Sequence, residues 1–308
     1  MISRLVFGAL AASRGMQTFA SKYGLRRRYG FGRQFVAGDT VDDAIAVAQR
    51  VESAGFSQTL QYLGTPVGSM ADADAATRAC VAIINRIAAS GIGRNLSVRL
   101  TDLGLTVDRA TCVDNLRRVL DPATAQEFFV RVEMEDSRYT QLTLDIFQTL
   151  WQQGYRNAGL DLQAYLSRSL DDTRRMNALG ARVRLVKGAY AEPRRVAYRS
   201  KAKIERAFIA IMELLLSEGT GPAFGTHDRA LIDATRTFAA SRGIAPDAYE
   251  FHMLYGVREE LQAMVRQAGS LVRVAIPFGP GWFPYVMQRL GNHPTDVRFL
   301  FRTLISAR

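Results

Sequence analysis

The 308 residues, 48% of them hydrophobic, can bury a sizeable core in one large or two small domains, and no apolar run approaches the ~20 residues of a membrane-spanning helix. The formal net charge of +11 is mostly arginine spread along the chain, with no nucleic-acid-binding motif, so a solvated basic surface is expected rather than nucleic acid. Two cysteines (Cys80, Cys112) and three scattered histidines (His227, His252, His293) form no metal or redox motif, so reduced thiols, a cytoplasmic-type setting and no bound metal are expected.

The chain opens on a basic stretch. No acidic residue precedes Asp39, whereas Arg4, Arg14, Lys22, Arg26, Arg27, Arg28 and Arg33 all do. LVFGALAA after Arg4 is short for a signal-peptide core, and no convincing small-residue cleavage site follows it. The composition suits an organelle transit peptide, a basic amphipathic segment touching a membrane, or a packed helical extension. The last is the expectation, over residues 1–56. Within it, Thr40 reads as the cap of a helix running to about Ser53, with Asp42 and Asp43 in its first turn.

From there short apolar runs alternate with helical patterns. Strands are predicted over 58–64, 96–101, 128–135, 158–166, 181–189, 222–228, 249–256 and 271–279, each rich in β-branched, leucine or aromatic residues. Between them, Ala76, Cys80, Ile83 and Ile87 form one helical stripe, and Leu142, Ile146 and Leu150 another that stops at Gly154. Two further helices end at Gly219 and Gly269. Eight strand–helix units in about 250 residues predict an α/β fold, a (β/α)8 TIM-like barrel over residues 57–308 behind an N-terminal helical extension. A doubly wound open sheet is the alternative, without the G-x-G-x-x-G of dinucleotide binding.

In such a barrel the chemistry sits at the C-terminal ends of the strands. The polar residues there include Arg99, Asp102, Glu133, Glu135, Gln163, Arg184, Lys187, Thr226, His227, Asp228, Glu250 and His252. Arg184 and Lys187 are two cations in one apolar strand, and buried charges need partners. They either meet carboxylates of the barrel interior, such as Glu133 or Glu250, or face a bound polar cofactor. The size of the polar set favours the cofactor. After the last strand, Gly279, Pro280 and Gly281 lead into a helix that places Tyr285, Gln288 and Arg289 on one face.

RLVKGAY (184–190), THD (226–228), EFHMLYG (250–256) and the glycine-rich turn into YVMQRLGNHP together resemble the proline dehydrogenase (proline oxidase) family, a divergent monofunctional member. LQYLG, SVRLTDLG and QAYL, at the first, second and fourth strands, fit the same pattern from about residue 35 onward. The resemblance implies a distorted (β/α)8 barrel holding FAD noncovalently. It implies oxidation of proline to a pyrroline carboxylate by hydride transfer to flavin N5, with a quinone accepting the electrons. Such enzymes touch membranes peripherally, so contact with the inner membrane is a further expectation. Carried over by position, Arg184 would lie near flavin N5 and Gln163 would bond the isoalloxazine edge. Val186, Gly188 and Ala189 would pass beneath the ring, and Thr226, His227 and Asp228 would bind further along the cofactor.

The substrate end departs from the family. Arg99 stands where the family has a lysine, Gln288–Arg289 where it has two arginines, and Glu133 where it has an aspartate. Ala275 replaces a tyrosine bordering the substrate ring, while Thr65 and Asn292 replace glutamates. Tyr285 and Leu254 keep the family residues. Two substrates stay open: L-proline, its carboxylate held by Arg99 and Arg289, or a substituted or fused-ring proline admitted by Ala275. Readings from other classes are a non-catalytic flavin-binding scaffold and, from FGPG near the eighth strand, a phosphosugar-type barrel.

Overall fold

The computed structural model describes residues 34–292, with the backbone alone described for 288–292. The expectations for the basic segment up to residue 33 and for His293 lie outside the described residues. In chain order the elements are α1 (Val41–Ser53), β1 (Ser57–Tyr62), α2 (Met70–Ala88), β2 (Asn95–Arg99), α3 (Arg109–Ala125), β3 (Phe129–Glu133), α4 (Ser137–Gln152) and β4 (Ala158–Gln163). They continue with α5 (Ser169–Ala178), β5 (Arg182–Val186), α6 (Lys201–Glu218), β6 (Ala223–Gly225), α7 (Arg229–Ser241), β7 (Glu250–Leu254), α8 (Glu259–Gln267), β8 (Leu271–Phe278) and α9 (Trp282–Asn292). All eight strands run parallel, and β8 closes on β1 in pairs such as Ile276 with Leu60, giving the predicted closed barrel.

The alternation along each strand separates two environments. Leu60, Leu96, Val130, Leu160, Leu185 and Phe251 are fully buried, or nearly so, in one apolar shell with Ile87 of α2, Leu116 of α3, Ile146 of α4 and Phe208 of α6. The intervening positions point into the barrel and are largely polar: Gln61, Arg131, Glu133, Asp161, Arg184, Glu250, His252 and Arg273. A barrel centre is usually filled with branched apolar side chains; this one is filled with charges. Side-chain oxygens at Thr40, Ser69, Asp108, Asp136, Ser200 and Asp228 cap six of the helices, each cap contributing about 1 kcal/mol. Thr40 and Asp43 form a full capping box. Helix α1 buries Ala44, Ile45, Val47 and Ala48 in the same shell as the barrel helices.

At the base of the barrel Arg273 makes two 2.7 Å hydrogen bonds to the Glu250 carboxylate, which also pairs with His252 Nε2 at 2.9 Å. Burial pushes the His252 imidazole down to about 3; Arg184 and Arg131 act in the same direction, and Glu250 opposes them. His252 is therefore neutral in the folded barrel.

The glycines after β8 allow two loops to approach closely. Gly279 has φ +120°, and a Cβ there would lie 2.6 Å from the Leu63 carbonyl oxygen; at Gly281 it would lie 2.2 Å from that of Gly64. Their missing side chains let the β8 loop press on the loop after β1, where Gly281 N–H donates to Leu63 O at 2.9 Å. This seats α9 through Trp282, Phe283, Val286 and Met287 on Phe35, Val36 and Leu63, a second apolar cluster.

Two outcomes follow. The folded value of His252 is below the roughly 6.5 of an unfolded histidine, so the unfolded state binds the extra proton and stability falls as pH drops through 6.5. Urea melts should show a loss of about 2 kcal/mol between pH 7 and 5 from this group, absent in His252→Asn; equal slopes in the two proteins would contradict the assignment. For Gly281→Ala, hydrogen exchange of the α9 amides should speed up at least tenfold while the strands stay protected; unchanged α9 protection would refute the docking role of Gly281.

Candidate active site

The predicted site residues converge at one end of the barrel, and their strands place them there. Arg99 and Glu133 close β2 and β3 and are register partners; Gln163 closes β4 beside Val186 at the end of β5. Leu254 closes β7, paired in register with Ala275 of β8, and Thr226–Asp228 follow β6 directly. Tyr285 lies on α9 against the second apolar cluster. Gln288 and Arg289 are on the same helix, but their side chains lie outside those described.

Arg184 is the most constrained of these residues. Its side chain is 9% exposed, and it donates Nε–H to Asp161 Oδ1 at 2.8 Å and Nη2–H to Asp161 Oδ2 at 2.6 Å. Glu133 Oε1 lies 3.4 Å from the same Nη2, and Glu133 Oε2 accepts from Gln61 Nε2 at 2.7 Å. Gln61, Glu133 and Arg184 thus form a layer from three alternate strands, as barrel geometry requires. Burial alone would lower the Arg184 value, yet Asp161 and Glu133 outweigh it and hold the guanidinium above its usual value. Glu133 moves up: burial is the main cause, Arg184 opposes it and Asp161 adds to it.

Arg99 meets Asp102 through Nε and Nη2, both 3.0 Å from one carboxylate oxygen. Its side chain is 30% exposed, leaving a guanidinium edge facing the mouth. Glu135, also at this end, accepts from the backbone and hydroxyl of Thr101. Tyr190, in the loop after β5, is enclosed by the same charges; burial first, then Glu135 and Glu133, push its phenol above the usual range.

Gln163 is 2% exposed; its Nε2 reaches Met134 O at 3.3 Å, and its Oε1 is buried with no hydrogen-bond partner among the described residues. A buried carboxamide oxygen costs roughly 1–3 kcal/mol when left unpaired, so its environment suits a donor from a bound ligand. Gly188 has a steric requirement of its own. With φ +105°, it presses on the Tyr165 ring, 2.3 Å from where a Cβ would stand. Ala189 beside it is exposed.

The loop after β6 is tied down internally. His227 Nε2 accepts from Leu254 N–H at 2.9 Å, which places the ring proton on Nδ1. Both Asp228 oxygens are engaged, Oδ2 by Lys187 Nζ at 2.7 Å and Oδ1 by Ala230 N–H at the start of α7. Lys187, the second cation of the strand pattern, thus serves Asp228 and Glu205 rather than the barrel interior.

Sequence reasoning missed Asp161, Gln61 and Tyr190. The signal for Asp161 is a single carboxylate in AGLDLQ, a strand whose six residues are all buried. A cleft of about 610 Å³ lies at the opposite end, around strand-start residues including Ser57, Phe129, Arg182 and Leu271. The convergent polar groups and the barrel rule place the chemistry at the other mouth.

Comparison with known proteins identifies the family. The family model described as proline dehydrogenase matches residues 44–291. Proline dehydrogenase 1 of Bacillus subtilis is 33% identical over 302 residues, covering 98% of this chain and 99% of that protein. Proline dehydrogenase of Deinococcus radiodurans is 32% identical over 284 residues, 91% of this chain and 92% of that one. Among solved structures, proline utilization A from Bdellovibrio bacteriovorus, inactivated by N-propargylglycine, superposes with a TM-score of 0.79 at 25% identity over 85% of this chain and 32% of that protein, so this chain spans about a third of its length. The chain is an oxidoreductase that belongs to the proline dehydrogenase family.

Proposed function

We propose that the chain binds FAD at the C-terminal mouth of its barrel and oxidises L-proline to 1-pyrroline-5-carboxylate, passing the electrons to a quinone. The observation that carries this reading is an orphaned acceptor, Gln163 Oε1, at the end of β4, with a buried cation, Arg184, two residues before the end of the adjacent strand β5, in a chain of this family. When bound, FAD supplies the two-electron acceptor at N5.

The residues present fit that cofactor. Gln163 Oε1 would accept from the pyrimidine edge of the ring, and Arg184 would hold a fixed positive charge near N5. Val186, Gly188 and Ala189 would line the face below it, with Thr226 and His227 further along. Asp228 would act on the cofactor through Lys187, since both of its oxygens are already engaged. On the substrate side, the exposed edge of Arg99, with Arg289 from α9, would bind the carboxylate through charge-assisted hydrogen bonds. Glu133 would face the substrate ammonium and help hold or take its proton. Leu254, Ala275 and Tyr285 would wall the ring, and Gln288 stands as a neutral neighbour of Arg289. Arg184, Arg99 and Glu133 are thus the proposed catalytic groups. Peripheral contact with the inner membrane, through the basic N-terminal segment, would bring the quinone within reach.

A second substrate is favoured by one observation. Ala275 is 6% exposed beside Leu254, so this part of the wall ends at a methyl group. That gives room for a substituent on the ring, as in a hydroxyproline or a larger proline.

The purified chain should carry a flavin spectrum that L-proline bleaches anaerobically. N-propargylglycine, which inactivates the Bdellovibrio protein, should abolish activity irreversibly; a colourless protein that takes up no added FAD would end this reading. Arg99→Met should raise the KM for proline at least tenfold, about 1.4 kcal/mol of lost binding, while FAD content stays unchanged. An unaltered KM would remove Arg99 from carboxylate binding. If trans-4-hydroxyproline bleaches the flavin no faster than L-proline does, the roomier-wall idea fails.

A further inference from the structure

We infer that Asp161 is the counter-ion of Arg184, a positioning residue that orients the guanidinium and cancels its charge toward the flavin. The inference rests on the FAD reading above and deepens it.

Three observations carry it. Asp161 holds Arg184 through two hydrogen bonds of 2.8 and 2.6 Å, a fork-to-carboxylate geometry that fixes the plane of the guanidinium. Glu133 makes one longer contact of 3.4 Å and spends its other oxygen on Gln61. Finally, Asp161 is 4% exposed and the one charged residue of β4, in register with Arg184 on β5. A buried ion pair is weak evidence for stability, because well-packed apolar side chains in its place often hold a fold as well or better. Its cost is therefore more readily explained by the chemistry at the mouth than by the fold.

The consequence is electrostatic. A lone arginine at N5 favours the reduced, negatively charged flavin and raises its reduction potential. With Asp161 attached, the pair is close to neutral, and the flavin is a weaker oxidant. Asp161 would thus set how readily electrons enter the flavin and how readily they leave for the acceptor. Glu133, relieved of being the main partner of Arg184, is left to face Arg99 and the substrate.

The test is the two-electron reduction potential of the bound flavin, measured against reference dyes at pH 8 in the wild type, Asp161→Asn, Asp161→Glu and Glu133→Gln. Glu133 is near enough to take over part of the pairing, which keeps the asparagine variant folded and limits the size of the effect. Asp161→Asn should raise the reduction constant between about fivefold and tenfold, roughly 20 to 30 mV for a two-electron couple. Asp161→Glu, which keeps the charge, should stay near the wild-type value and provides the folded comparison. Glu133→Gln should shift the potential by less than half as much as Asp161→Asn. An unchanged potential in flavin-loaded Asp161→Asn overturns the inference and leaves the FAD reading standing. So does a Glu133→Gln shift equal to that of Asp161→Asn, or an equal shift in Asp161→Glu, which would assign the effect to packing. Wild-type protein that takes up no FAD overturns both.

Discussion

A guanidinium taken out of water must be met by carboxylates, and that constraint organises the interior of this barrel. Arg184 lies between Asp161 and Glu133, three residues from three successive strands. Their spacing is fixed by parallel register, because Asp161 pairs in register with Arg184 and Glu133 with Arg99. Moving any one strand by a single residue would turn these charges outward into the apolar shell. The charged layer is therefore compatible with one register only, the one the apolar shell also favours. It also delivers Arg184, Glu133 and Arg99 to the same end of the barrel in defined orientations.

The same constraint repeats at the base, where Arg273 and His252 share Glu250. There the consequence is different. His252 is kept neutral, and Glu250 is kept ionised because the hydrogen bonds from Arg273 and His252 outweigh the cost of its burial. Between the two clusters Arg131 is buried, lies over the Phe129 ring at 5.0 Å, and makes long contacts of 3.4 Å to the backbone carbonyls of Leu160 and Arg182. Burial, with Arg184 adding to it, pushes its guanidinium down to about 9. The barrel axis is thus a column of alternating charge, compensated at both ends and least compensated in the middle. Within each end cluster the members hold one another in place, and such support is what a reacting pair of groups at the mouth requires.

Much of this was legible in the sequence because the apolar shell writes itself as runs of leucine, valine and phenylalanine. Six of the eight strands fall within the predicted spans, β1 and β2 each begin one residue earlier, and the predicted spans overrun mainly at the C-terminal ends. The reason is physical: Thr226–Asp228, Lys187–Ala189 and Ala164–Leu166 continue the strand-like composition, but the chain there leaves the sheet to build the mouth. The helices over 109–125, 169–178 and 229–241 escaped notice because their apolar stripes are interrupted, by Pro122 in α3 and by buried Asp172 and Thr173 in α5. The polar residues at the strand ends could be named from spacing alone, but their pairings could not. Nothing in a one-dimensional pattern distinguishes Glu133 from Asp161 as the partner of Arg184; only the register of β4 against β5 does. Lys187 and Arg184 look equivalent in RLVKGAY, yet their separation by three residues sends one inward and the other to Asp228.

The substrate end is where charge and shape have changed together. Arg99 keeps a cation at the end of β2 but anchors it on Asp102 through one oxygen, so its planar fork is set at an angle and part of it faces the mouth. Glu133 carries its carboxylate one methylene further than an aspartate would, and from β3 it meets Gln61 of β1 and the edge of Arg184 of β5. The longer carboxylate and Asp161 therefore act together: Asp161 takes the guanidinium, and the extra length of Glu133 keeps that carboxylate in the layer without making it the main partner. Beside them Ala275 and Leu254 leave an apolar wall with no polar group of its own. In the proposed site, polar recognition on this side would fall to Arg99, Glu133 and α9, and the shape of that wall rather than a hydrogen bond from it would discriminate among cyclic amino acids. Shape alone separates substrates by a methylene or a hydroxyl only about 10- to 200-fold, so such a site would favour its ring by fit while accepting near relatives.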